Sequence, residues 1–114
     1  MTYNLTYADN YQSLMWGVIA DSRANIPAVK DQDGFAIQAY VQSQTSQVVP
    51  GTIPYAIRTV DGNIAGYTVL QVNPGPVSVL LLQLRPAFST FSSDISSFLT
   101  NFINSGNFVF DTLT

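Results

Sequence analysis

Residues 55–84 read YAIRTVDGNIAGYTVLQVNPGPVSVLLLQL, and this stretch decides the fold. Tyr55–Val60 and Ile64–Val72 are two β-prone runs separated by Asp61-Gly62-Asn63. An Asp-Gly pair supplies the positive φ that a tight hairpin turn requires, so the two runs predict an antiparallel hairpin. Asn73-Pro74-Gly75-Pro76 predicts a second reversal. It leads into Val77–Leu84, a nearly continuous Val/Leu run. Such a run, lacking a polar alternation, reads as a central strand buried on both faces.

Working outward, Thr2–Tyr7 alternates and predicts a short strand with Tyr3, Leu5 and Tyr7 on one face. Asp9 stands where a helix N-cap belongs. Behind it Tyr11, Leu14, Met15, Val18, Ile19 and Ser22 follow helical spacing, with Trp16 off that stripe. The helix should fade near Arg23–Asn25, ahead of Pro27. Asp31-Gln32-Asp33-Gly34 reads as a turn and Phe35–Gln42 as a strand, with Phe35, Ile37, Ala39 and Val41 on one side. Val49–Pro54 reads as a rigid connector. Beyond Arg85-Pro86, Ser92 or Ser93 caps a second helix, in which Ile95, Phe98, Leu99, Phe102 and Ile103 recur at helical spacing. Gly106 marks its end, and Asn107–Leu113 reads as a last strand with Phe108 and Phe110 on one face. The expected fold is a single α+β domain over residues 1–114 in the order β-α-β-β-β-β-α-β. Its mostly antiparallel sheet has five to six strands, with two helices packed on it.

Composition removes most chemistry. The chain of 114 residues has no Cys and no His, and its acids are all Asp. Disulfides, Cys/His zinc sites, thiol nucleophiles and His-based triads are therefore excluded. Charged residues make up 10% of the chain, against ~25% in an average domain. Arg23, Lys30, Arg58 and Arg85 are the only cations against seven Asp, a net charge of −3. That spread cannot build a phosphate-neutralising face, so no nucleic acid is expected. The longest apolar run is far shorter than the ~20 residues of a membrane helix, and no membrane is expected. The first residues show no signal-peptide pattern, which points to synthesis in a cytoplasm. Ser, Thr, Asn and Gln number 11, 10, 8 and 8 and do most of the solvation. Seven Phe, six Tyr and one Trp accompany them. Aromatic-rich, charge-depleted surfaces are typical of interface cores.

Tyr55–Phe102 resembles the middle of the GNAT acetyltransferase fold. There a hairpin carries a dGxxxGy pattern, matched by Asp61-Gly62-Asn63-Ile64-Ala65-Gly66-Tyr67. A hydrophobic strand, a Pro-containing loop and a helix follow, matched by Leu80–Leu84, Arg85-Pro86-Ala87-Phe88 and the helix from Ser92. The resemblance covers about half the chain. It implies an acyl-CoA loop of the form R/Q-x-x-G-x-G/A, whose glycines let backbone amides approach a pyrophosphate. The corresponding residues here are Ser89-Thr90-Phe91-Ser92-Ser93, with no glycine and no basic residue. No Glu or His can act as base for an amine. The resemblance thus implies the fold with its cofactor site lost.

The remaining candidates favour structure over chemistry. Asp31-x-Asp33-Gly34 is like part of a calcium loop, but the first ligand position falls on Val29 and the distal one on Tyr40. Asp9 and Asp94 are helix-start residues and Asp61 belongs to its turn. Ser92 or Ser93 with Asp94 lacks a third orienting group. Arg85 could clamp a carboxylate, or form a structural pair with an Asp or a carbonyl. Tyr40, Tyr55, Tyr67 and Trp16 could form a sugar-stacking platform, or complete the core and an interface. No catalytic, cofactor-binding or metal-binding residue is expected.

The reading that results is a non-enzymatic structural or interaction subunit of a larger assembly. Its composition is similar to that of bacteriophage virion proteins, which suggests a head-decoration, connector or tail component located in the virion. Expected partners are other structural proteins of the assembly, with a homo-oligomer as the arrangement. The expected interface residues are Trp16, Tyr40, Asn107, Phe108, Val109 and Phe110. A final strand left as an unpaired edge would be a docking site. The alternatives are a minimal or degenerate acyl-CoA-dependent N-acetyltransferase and a sugar-binding adhesin or fibre module.

Overall fold

The hairpin sits at the centre of the sheet. In a computed structural model, which describes residues 3–72 and 76–105, β2 (Thr52–Thr59) and β3 (Ile64–Gln71) pair antiparallel. The turn between them has Gly62 at φ 88°, the left-handed conformation that glycine adopts without steric cost. The Thr59 hydroxyl bonds to the Asp61 carboxylate, and the Thr59 amide donates to the Asn63 carbonyl at 2.9 Å. Asp61 is thus a turn residue, as its sequence position implies.

Strand β1 (Tyr3–Tyr7) pairs with β2, and β4 (Ser78–Leu84) with β3, giving the order β1-β2-β3-β4, antiparallel throughout. Two register shifts bend the sheet. Ile57 faces Gly66 while Arg58 faces Ile64, so Ala65 is an extra residue on β3. Val69 faces Leu81 while Leu70 faces Val79, so Leu80 is extra on β4. Bulges of this kind re-aim side chains and increase local twist. At Gly66 the strands come very close: a Cβ there would lie 2.2 Å from the Gln83 carbonyl oxygen.

Helices cover both faces of the hairpin. Helix α1 (Tyr11–Asp21) and helix α2 (Gly34–Thr45) lie on one face. There Met15, Val18, Ile19, Ile37 and Val41 pack with Tyr67 and Val69. Helix α3 (Ser92–Ser105) follows a 3-10 turn at Pro86–Phe91 and covers the other face. Its Ile95 and Leu99 meet Tyr3, Ile57 and Ala65, and its Phe102 and Ile103 meet Ile53, Tyr55 and Leu70. Nearly every residue of β2 and β3 is buried as a result.

Several sequence expectations are corrected here. The fold is α+β, but with four strands rather than five to six and three α-helices rather than two among the described residues. Phe35–Gln42, expected as a strand, forms most of α2. The Asp33 carboxylate accepts from the Phe35 and Ala36 amides at 3.1 and 3.2 Å, satisfying two donors that a new helix leaves open. Ile37 and Val41, four residues apart, then fall on one inward face. Val77–Leu84, expected as a central strand, contributes β4 at a sheet edge, and Val79, Leu80 and Leu82 are exposed. The cap of α1 is Asn10 rather than Asp9; its side chain accepts from the Ser13 amide at 3.3 Å. The α1 stripe and α3 lie where the spacing puts them. The expected reversal at residues 73–75, Gly106 and the expected strand Asn107–Leu113 lie outside the described residues.

Candidate functional site

The outer surface of the α1–α2 layer is the most distinctive surface of the described residues. Trp16 is one residue outside the apolar stripe of α1 and stays 44% exposed. With Gln12, Ser13, Gln38, Val41 and Gln42 it lines a shallow groove of about 440 Å³ between the two helices. Phe35, in the first turn of α2, is 81% exposed and lines an adjoining depression with Asp33 and Gln38. Gln38 lines both, so the groove beside Trp16 and the depression beside Phe35 share a border. The layer is almost without charge. Helix α2 carries no Asp, Glu, Lys or Arg, and α1 carries only Asp21.

Asp21 is itself engaged. The Arg85 guanidinium donates to its carboxylate at 2.8 Å and to the Ile64 carbonyl at 3.2 Å. Arg85 thus forms a structural pair with an Asp and also bonds a carbonyl. Both side chains are roughly half exposed, so the pair adds little free energy, on the order of 1 kcal/mol or less. Its geometric effect is larger, because it ties the end of α1 to the end of β4 beside a groove lined by Ser13, Leu14, Gly17 and Ile64.

The other sequence candidates separate. Tyr55 and Tyr67 are buried on opposite faces of the sheet, Tyr55 beneath α3 and Tyr67 beneath α1 and α2. Tyr40 is half-buried against the α1–α2 core. The four aromatic residues therefore do not share one platform. Of the expected interface residues, Trp16 faces outward and Tyr40 leans inward, while Asn107, Phe108, Val109 and Phe110 lie outside the described residues. The sequence pattern alone puts Phe35 on an inner strand face and misses its exposure. The signal for its outward position is Asp33, a helix-capping residue two positions before it.

The fold perturbs the ionisation of two buried tyrosines. Burial, and secondarily Tyr40, pushes the Tyr67 hydroxyl far above its ordinary range. That hydroxyl donates to the Gln44 side chain at 3.0 Å. Burial and then the Asp94 carboxylate raise Tyr3 as well. Asp31, at φ 59°, and Asp33 belong to the turn and the cap that start α2. Among the described residues no three His, Cys, Asp or Glu side chains cluster so as to hold a metal ion. No helix among them is long and apolar enough to cross a membrane.

Comparison with known protein families, curated proteins and solved structures returns no match.

Proposed function

We propose that this chain is a non-catalytic subunit of a larger assembly, and that it meets its neighbours through the outer face of the α1–α2 layer. One observation carries the reading: Phe35 and Trp16 stand exposed on a surface whose other lining residues are mostly uncharged, with Asp33 the one carboxylate among them. Removing such a surface from water costs less than removing a charged one where its amides and hydroxyls find partners across the contact, and covering the two rings gains apolar burial. Interface cores are enriched in aromatic residues and depleted of charge in the same way. The narrower assignment, to a bacteriophage particle as a decoration, connector or tail component, rests on composition: rich in Asn, Gln, Ser and Thr, with no Cys or His. It is tested by purifying particles from the source and quantifying the chain by mass spectrometry. A fixed copy number per particle supports the assignment, and its absence from every particle fraction removes it.

A second reading, a degenerate acyl-CoA-dependent acetyltransferase, has one feature in its favour. The hairpin with its Asp61-Gly62 turn, then β4, the Pro86 turn and α3 follow one another in the order that the GNAT resemblance implies. Against it stand Ser89–Ser93, which offer neither glycine nor cation for a pyrophosphate. Titration with acetyl-CoA separates the two readings.

A further inference from the structure

The chain holds two Asp-Gly bonds, Asp33-Gly34 and Asp61-Gly62, and the fold treats them differently. An aspartate before glycine can close on itself. The next amide nitrogen attacks the side-chain carboxyl carbon, with no Cβ on glycine to hinder its approach. Closure needs that amide, and one carboxyl oxygen must leave. In the hairpin turn both are engaged. The Gly62 amide donates to the Thr59 carbonyl at 3.0 Å. One Asp61 oxygen accepts from the Thr59 hydroxyl and the other from the Asn63 side chain at 3.2 Å.

At the start of α2 neither is engaged. Gly34 is the first residue of the helix, where amides lack carbonyl partners, and its N–H donates no hydrogen bond among the described residues. Asp33 and Gly34 are both exposed. The Phe35 and Ala36 amides both bond to Asp33 Oδ1, and Oδ2 has no partner among the described residues.

From this contrast we infer that Asp33 is a site of spontaneous isomerisation to isoaspartate in the folded chain, while the hairpin turn guards Asp61. The Gly34 nitrogen bonds to Asp33 Cγ and the bond from Cγ to Oδ2 breaks. Oδ2, carrying the carboxyl proton, takes the amide proton and leaves as water. Oδ1 gathers negative charge as the nitrogen adds, and two amide donors already face it. Water then opens the cyclic imide. Opening at Cγ restores Asp33, and opening at the backbone carbonyl leaves the chain running through Cγ, as isoaspartate. Nothing is oxidised or reduced. The product removes the cap of the helix that carries Phe35. The inference does not depend on the assembly reading.

The test ages the full chain in neutral buffer made with heavy-oxygen water, beside a sample in urea, until the urea sample has reacted. Cleavage after Lys30 and Arg58 puts Asp33 and Asp61 in separate peptides for mass spectrometry. The expected product is isoaspartate at residue 33 carrying one heavy oxygen. In the folded chain the ratio of its rate to that at residue 61 should exceed the ratio in urea by about tenfold or more, since the guarded turn must open first. Gly34→Ala, whose added methyl meets no atom within 4 Å outside its own helix backbone and chain neighbours, should keep the circular dichroism and slow the reaction sharply. Should that variant fail to fold, the two sites of the wild type decide by themselves. A ratio no greater in the folded chain than in urea overturns the inference. So does a residue 33 that reacts in urea alone, or one that reacts at the wild-type rate in folded Gly34→Ala.

Discussion

The Ser22 hydroxyl, just past the end of α1, donates to the Leu84 carbonyl at the end of β4 across 3.1 Å and 62 residues of sequence. Ser22 is 1% exposed, so this bond is made away from water. Beside it Arg85 reaches Asp21. Together the two contacts fasten the helical layer to the edge strand. Ser22→Ala leaves the Leu84 carbonyl short of a buried partner and should destabilise the fold by about 1–2 kcal/mol. Arg85→Met, which breaks a half-exposed pair, should cost less. Urea midpoints of the two variants check the ranking.

Glycines give a pair of opposite expectations. Gly66→Ala forces a methyl against the Gln83 carbonyl of the neighbouring strand and should cost about 1–3 kcal/mol, as overpacking does. Gly17 lies within α1, and a methyl added there would meet no atom within 4 Å outside its own helix backbone and chain neighbours. Gly17→Ala should therefore stabilise the protein by up to about 1 kcal/mol through helix propensity. A Gly66→Ala chain that melts at or above the wild-type temperature would refute the close approach of β3 and β4.

Alkaline stability follows from Tyr67. Its folded-state pKa is raised by burial, while the unfolded chain titrates near 10. Above that pH the unfolded state binds fewer protons than the folded state. The contribution of Tyr67 is thus complete below about pH 10 and declines as pH rises toward the folded value, by about 1.4 kcal/mol per pH unit. Tyr3 adds to the same slope. Tyr67→Phe should flatten the decline between about pH 10 and 11, measured by urea unfolding at each pH.

Much of this architecture is legible in the sequence, and the failures have physical causes. The hairpin can be read because Asp61-Gly62 fixes a turn locally. The stripes of α1 and α3 can be read because their apolar residues repeat at helical spacing over many positions. Phe35–Val41 cannot be assigned by periodicity alone, since Phe35, Ile37, Ala39 and Val41 alternate while Ile37 and Val41 also sit one helical turn apart. Asp33 decides between them, because its side chain satisfies the amides of a starting helix. The position of β4 is hidden for another reason. A run of leucines reports apolarity, but which strand becomes central depends on where α1, α2 and α3 pack, and they sandwich β2 and β3. The outward face is hidden along with α2, since Phe35 becomes visible as a surface residue only once that segment is a helix.

Acetyl-CoA should not stabilise the chain. A ligand present at ~100 times its Kd raises stability by about 2.7 kcal/mol, a clear rise in melting temperature. With Ser89–Ser93 in place of a glycine-rich loop, the expected shift is nil. A saturable rise would favour the acyltransferase reading.

The central claim, that the chain works by contact with its neighbours through Trp16 and Phe35, is tested most directly by its mass in native extract. Sedimented from its source, the wild-type chain should travel in a particle far heavier than its own 12.4 kDa. The doubly substituted Trp16→Ser, Phe35→Ser chain should fold normally yet remain in the light fraction. A wild-type chain that sediments free, or a double variant that enters the particle as well as the wild type, would contradict the account.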